Sequence, residues 1–181
     1  MHIPRPSTEN LIDLAREFLR CPQDSNSDLE PGVVGVARVI RSLDAVTVAD
    51  VGTGSGCIAI TLALEMPHIR VIATDQSADA LECAQENAER LHAGNIDLRL
   101  GELLAPLNDQ QQPFVVVSNP PYLPSLTLQT NRELACEPLA ALDGGIDGTD
   151  ILRQLSEEAR RHPLCAGMII ECMTEQVAVL G

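Results

Sequence analysis

Lysine and tryptophan are absent from the 181 residues, tyrosine occurs once and phenylalanine twice. The 12 cationic side chains are therefore all arginines, set against 26 aspartates and glutamates for a formal net charge of -14. So acidic a chain repels phosphate backbones unless a local basic patch overrides the field. Arg160-Arg161 is the one arginine cluster, so nucleic acid is a poor partner. No C-x-x-C pair occurs among the six cysteines (21, 57, 83, 136, 165 and 172), which points to buried reduced thiols. The four histidines lack metal-ligand spacing, so no metal site is expected. A signal-peptide pattern and a long apolar run are both missing, which argues for a cytoplasmic chain with no membrane partner.

What is present is an alternation of two periodicities. The length suits one domain with a substantial core. After Pro4 and Pro6, Ser7 or Thr8 is placed to cap a helix whose stripe is Leu11, Leu14, Ala15, Phe18 and Leu19. Cys21 to Pro31 reads as a surface loop, and Val33 to Leu43 as a second short helix. Apolar runs ending at Val51, Asp75, Leu100, Val117 and Glu171 read as five strands. Between them lie helices from Cys57 to Glu65, from Ser77 (as cap) to a stop at Gly94, and over roughly Asp150–His162. Leu123 to Gly148 is irregular. Strands alternating with helices predict a doubly wound, mostly parallel α/β sheet.

In such a sheet ligands bind at the carboxyl ends of the strands, near the switch point. Gly52, Thr53, Gly54 and Gly56 follow the first of the five strands directly, where missing side chains let a ligand approach the backbone. Asp75 lies 25 positions after Asp50, at the end of the next strand, where a carboxylate can accept from both hydroxyls of a ribose. The spacing is G-x-G-x-G rather than the G-x-G-x-x-G of dinucleotide sites, which favours S-adenosylmethionine, with a ribose but no phosphate. Glu102, after the third strand, could accept from an adenine amino group, or could be a carboxylate favoured by a helix start.

Ser118-Asn119-Pro120-Pro121-Tyr122 follows the apolar run Phe114–Val117. Two prolines forbid both helix and further pairing, so the backbone there is rigid and extended. An Asn carboxamide, carbonyls free of competing N–H groups and the single tyrosine are thereby held together. A planar –NH2 group needs two acceptors, and this stretch offers them.

Together these motifs resemble the class I S-adenosylmethionine-dependent methyltransferases, and within them the HemK/PrmC family, which methylates a glutamine side-chain nitrogen in peptide-chain release factors. The resemblance rests on Ile3-Pro4-Arg5-Pro6 with Thr8-Glu9, on Asp50 to Gly56, and on Ser118 to Tyr122. It continues through Glu137-Pro138, Ala141 to Gly145, Asp147-Gly148, and Glu171 with Gln176. It implies that Asn119 and the Pro120 carbonyl accept hydrogen bonds from the glutamine –NH2. Tyr122, Pro121, Arg5 and Pro6 would line the pocket. The cofactor would be held by Asp50, Gly52, Thr53, Gly54, Gly56, Asp75, Glu102 and Asn119, and the partner would be a release factor. Relative to the family pattern the chain lacks a separate N-terminal helical domain and strands six and seven, has Glu102 where Asp is usual, and has Met173 where Gly is usual. Residues 1–181 would then be a single methyltransferase domain, incomplete at its C-terminal end, with one sheet edge exposed. Two other functions fit subsets of the motifs: a cofactor-binding but inactive fragment, and an amino-methyltransferase acting on adenine or cytosine.

Overall fold

The computed structural model describes residues 6–20, 33–36, 47–131 and 138–180. Six strands, β1 (Val33–Val36), β2 (Thr47–Val51), β3 (Arg70–Asp75), β4 (Ile96–Leu100), β5 (Phe114–Ser118) and β6 (Cys165–Glu171), form one sheet. Their order is β1-β6-β5-β2-β3-β4. The five strands read from the sequence all pair in parallel, as the intervening helices require. The helices are α1 (Pro6–Arg20), α2 (Cys57–Glu65), α3 (Ala78–Leu91), α4 (Ser125–Thr130) and α5 (Asp150–Arg161).

The parallel strands are apolar almost throughout because both faces of the sheet are covered. Val48, Val71, Ala73, Val115, Val117 and Ile169 pack against α1, α2 and α3. Their alternates Ala49, Val51, Ile72, Val116, Met168 and Ile170 pack against α5 and the short turns around Leu107 and Leu180. Edge strand β4 is only partly buried, and salt bridges of Asp97 with Arg70 and Arg99 dress it with charge.

Four local readings change. Val33–Val36 is a strand, not the start of a helix, and it pairs antiparallel with β6 from Val33↔Glu171 to Val36↔Met168. The β-branched residues fit a pleated edge, and β6 offered an unpaired one. β6 is thus paired along Met168–Glu171, and β1 becomes the outer strand at that end of the sheet. Helix α1 already begins at Pro6, so Ser7 and Thr8 lie in its first turn rather than capping it; proline suits that position because its missing N–H would have had no partner. Helix α3 ends at His92, which takes the left-handed conformation (φ 60°) two residues before Gly94. The stretch read as irregular contains α4 and a short 3-10 turn over Leu139–Ala141. Arg5, the Cys21–Pro31 loop, Cys136 and Glu137 lie outside the described residues.

Strand β2 sits at the centre, and the chain leaves it towards β3 and β4 on one side and returns as β5 and β6 on the other. The switch point is therefore between β2 and β5, which run in register with Asp50 opposite Val117. The glycine turn and Asn119–Tyr122 follow the ends of these two neighbouring strands.

Candidate active site

Gly52, Gly54 and Gly56 all take positive φ (74°, 57° and 84°), so the turn after β2 is a left-handed path that other residues follow only under strain. Their surroundings differ. A Cβ at Gly56 would come 2.9 Å from Ile60 Cδ1 and 3.1 Å from Ala84 Cβ, whereas at Gly52 and Gly54 it would meet nothing within 4 Å. Gly56 thus serves the contact of α2 with α3, while Gly52 and Gly54 border open space.

Two carboxylates hold this turn. Asp50 is fully buried; its Oδ2 accepts from Thr53 Oγ1 at 2.6 Å and from the Ala59 N–H at 3.0 Å. Its Oδ1 is buried with no hydrogen-bond partner among the described residues. Burial raises its pKa to about 6, against the lowering effect of those two hydrogen bonds. Asp75 Oδ2 accepts from the Gly54 N–H and Oδ1 from the Ser77 N–H, both at 2.9 Å. Two acceptor sites are used, and an ionised carboxylate has about four, so capacity for ribose hydroxyls remains. The Gly101 N–H donates to the Asp75 carbonyl at 2.9 Å, which brings the exposed Glu102 beside the end of β3.

The donor set fits S-adenosylmethionine on three counts. A Cβ-free cradle stands at Gly52 and Gly54, an unsatisfied carboxylate oxygen lies under the turn, and Asp75 retains lone pairs at the next strand end. Among the described residues no cluster of three or more His, Cys, Asp or Glu side chains could hold a metal ion. Cys57, Cys83 and Cys172 are free thiols, and Cys165 Sγ donates to the Gly167 carbonyl at 3.5 Å.

Ser118 opens the motif in the sequence without a role of its own, and the fold shows that it ties the two strand ends together. Its buried Oγ donates to the Val51 carbonyl at 2.6 Å. Asn119 Nδ2 donates to Oγ1 of the buried Thr8 on α1 at 3.2 Å. That contact orients the carboxamide and leaves Oδ1 able to accept. The Pro120 carbonyl accepts no hydrogen bond among the described residues, and Pro120 is buried while Pro121 and Tyr122 are partly so. Pro6 opens α1 two residues before Thr8, so the opening segment reaches this site through Thr8.

Tyr122 is anchored from the other side of the sheet. Its hydroxyl donates to Glu171 Oε1 at 2.7 Å, at the end of β6. Its carbonyl accepts from Gln176 Nε2 at 2.9 Å. Beyond it, Leu123 pairs with Asp143, and the Ser125 N–H donates to the Gly145 carbonyl at 2.9 Å. The Gly-rich stretch 143–148 thus folds back on the chain just after Tyr122. No periodicity in the sequence could have shown this, because the partners are 54 positions apart in the Gln176 case.

Residues 25–143 match the family described as Methyltransferase small domain. The release factor glutamine methyltransferase of Geobacter sulfurreducens is 46% identical over 124 residues, covering 67% of this chain and 43% of that protein. The protein of the same name from Gloeobacter violaceus is 37% identical over 179 residues, covering 96% and 54%. The chain spans about half the length of these curated relatives. An rRNA methylase from Streptococcus thermophilus shares the fold, with a TM-score of 0.50 at 17% identity over 98% of this chain and 81% of that one. No helix among the described residues is long and apolar enough to cross a membrane. Because the family match takes in more than half of the chain, including both the glycine turn and Asn119–Tyr122, the chain belongs to the methyltransferase small-domain family.

Proposed function

We propose that residues 1–181 act as one catalytic domain that transfers a methyl group from S-adenosylmethionine to the side-chain amide nitrogen of a glutamine in a protein. The proposed acceptor is the glutamine of a Gly-Gly-Gln segment in a peptide-chain release factor, in a cytoplasmic setting. The observation that carries this reading is a pair of acceptors with no partner among the described residues, Asn119 Oδ1 and the Pro120 carbonyl, beside a turn whose Gly52 and Gly54 face open space. The names of the relatives support it.

The cofactor supplies an electrophilic methyl on a positively charged sulfur. Gly52, Thr53, Gly54 and Gly56 would form its cradle, which Asp50 and Asp75 fix. Asp75 would take the ribose hydroxyls, and Glu102 would accept from the adenine amino group. The acceptor nitrogen is a poor nucleophile because its lone pair is delocalised into the amide carbonyl. Asn119 Oδ1 and the Pro120 carbonyl each accept one of its two hydrogens. They thereby orient the lone pair and stabilise the positive charge that develops on nitrogen. No base is required at the attack step, since the nitrogen becomes acidic only after the methyl has arrived. Pro121 and Tyr122 line the substrate side.

The test is methyl transfer from S-adenosylmethionine to a purified release factor, read by peptide mass spectrometry. One added methyl on the Gly-Gly-Gln glutamine is the expected result. Cofactor binding with no methylated glutamine, or methyl found in tRNA or rRNA instead, would overturn it.

A further inference from the structure

The acceptor stretch is held by a residue that takes no part in either binding site. Gln176 is buried, and its Nε2 lies within hydrogen-bond distance of three carbonyls, Tyr122 at 2.9 Å, Gly148 at 3.1 Å and Asp147 at 3.3 Å, so its two N–H groups serve three acceptors, one of them shared. Its Oε1 accepts from the Met173 N–H at 3.0 Å, so the carboxamide cannot turn over without reversing every contact. The fit around it is close. A Cβ at Gly148 would stand 2.3 Å from the Tyr122 carbonyl oxygen and 2.6 Å from Gln176 Nε2. The same tyrosine is held through its hydroxyl by the buried Glu171, five residues before Gln176. Asn119, Pro120 and Pro121 are thus bracketed. Ser118 fixes one end to β2, and Gln176 with Glu171 fixes the other end to the segment after β6.

We infer that Gln176, seconded by Glu171, is the positioning residue of the acceptor site: it sets where the Asn119 and Pro120 oxygens stand by pinning the Tyr122 carbonyl. It touches no substrate and acts through Tyr122. Two prolines make the intervening chain stiff, so a displacement at Tyr122 is transmitted to Pro120 rather than absorbed. An error of an ångström in such an acceptor pair costs about 10²-fold in rate. The cofactor turn, at the ends of β2 and β3, shares none of these contacts.

The inference rests on the methyl-transfer reading for its kinetic arm but not for its spectroscopic one. Tyr122 is the single tyrosine of a chain without tryptophan, so ultraviolet emission anisotropy reports this ring alone. The variants are Gln176→Glu, which keeps the shape and the acceptor while losing both N–H donors, and Glu171→Gln, which keeps an acceptor for the tyrosine hydroxyl. The expected result for Gln176→Glu is a fall in Tyr122 anisotropy and a loss of about 10²-fold in kcat, with S-adenosylmethionine Kd within about threefold of the parent. Glu171→Gln is expected to move anisotropy and kcat in the same direction by less. Unchanged anisotropy and kcat in a folded Gln176→Glu, or losses of cofactor affinity and kcat that track the melting temperature, would overturn the inference. If Gln176→Glu does not fold, Glu171→Gln decides alone, and parental values for it would count against the inference. If the parent binds cofactor but methylates nothing, the proposed reaction fails, while the anisotropy arm still decides the positioning claim.

Discussion

Asp50→Asn is the perturbation whose magnitude can be worked most fully from the structure. Burial holds this carboxyl at a pKa of about 6 in the fold against an ordinary 3.8. A raised pKa means that the folded state binds the proton more tightly than the unfolded one. The resulting stability is fully present below about pH 3.8 and is lost as pH rises through about 6. The displacement is worth about 3 kcal/mol. For a domain of this size that is about 6–12 °C in Tm, at about 2–4 °C per kcal/mol. Asparagine keeps an oxygen for Thr53 Oγ1 and the Ala59 N–H but has no proton to lose. About four-fifths of that free energy falls between pH 4 and pH 7, so the difference between variant and parent Tm, measured by calorimetry without cofactor, should grow by about 5–10 °C in favour of the variant over that range. Subtracting the parent removes the contribution of the other 25 carboxylates. Parallel pH curves for the two proteins would refute the reasoning, because they would mean that Asp50 ionises as freely in the fold as out of it.

Other substitutions separate stability from ligand binding. Gly56→Ala puts a methyl group against Ile60 and Ala84 at positive φ and should cost about 2–4 kcal/mol in a chemical melt. Gly54→Ala meets no neighbour, so it should cost only about 1 kcal/mol while weakening S-adenosylmethionine binding about tenfold or more by calorimetric titration. Ser118→Ala removes the buried bond to the Val51 carbonyl and should lower stability by about 1–2 kcal/mol, with a larger fall in methyl transfer than in cofactor affinity.

The legible parts of this molecule were those specified by local pattern. The five apolar runs became the five parallel strands because each is buried on both faces, and their alternation with helices dictated the crossovers. The glycine turn was readable because only glycine tolerates its backbone. What was not readable depends on partners distant in sequence. Val33–Val36 carries a spacing that suits a helix, but β6 supplied an edge, and strand pairing prevailed. Thr8 looked like a helix cap and instead accepts a hydrogen bond from Asn119, 111 positions away. Left-handed geometry at His92 rather than Gly94 shows a helix ending where its backbone contacts with Ala88 and Glu89 close, not at the nearest glycine. Glu171 and Gln176 carried a family resemblance without a visible task until the fold brought them to Tyr122.

In the proposed reaction Asn119 orients an amide nitrogen for methyl transfer rather than merely closing a turn. Single-turnover transfer to a Gly-Gly-Gln release factor by the parent and by Asn119→Ala, each with its cofactor Kd measured, tests that claim most directly. The expected result is a rate lower by about 10²–10³-fold for the variant, with cofactor Kd within about threefold. A variant that methylates the glutamine at the parental rate would contradict it.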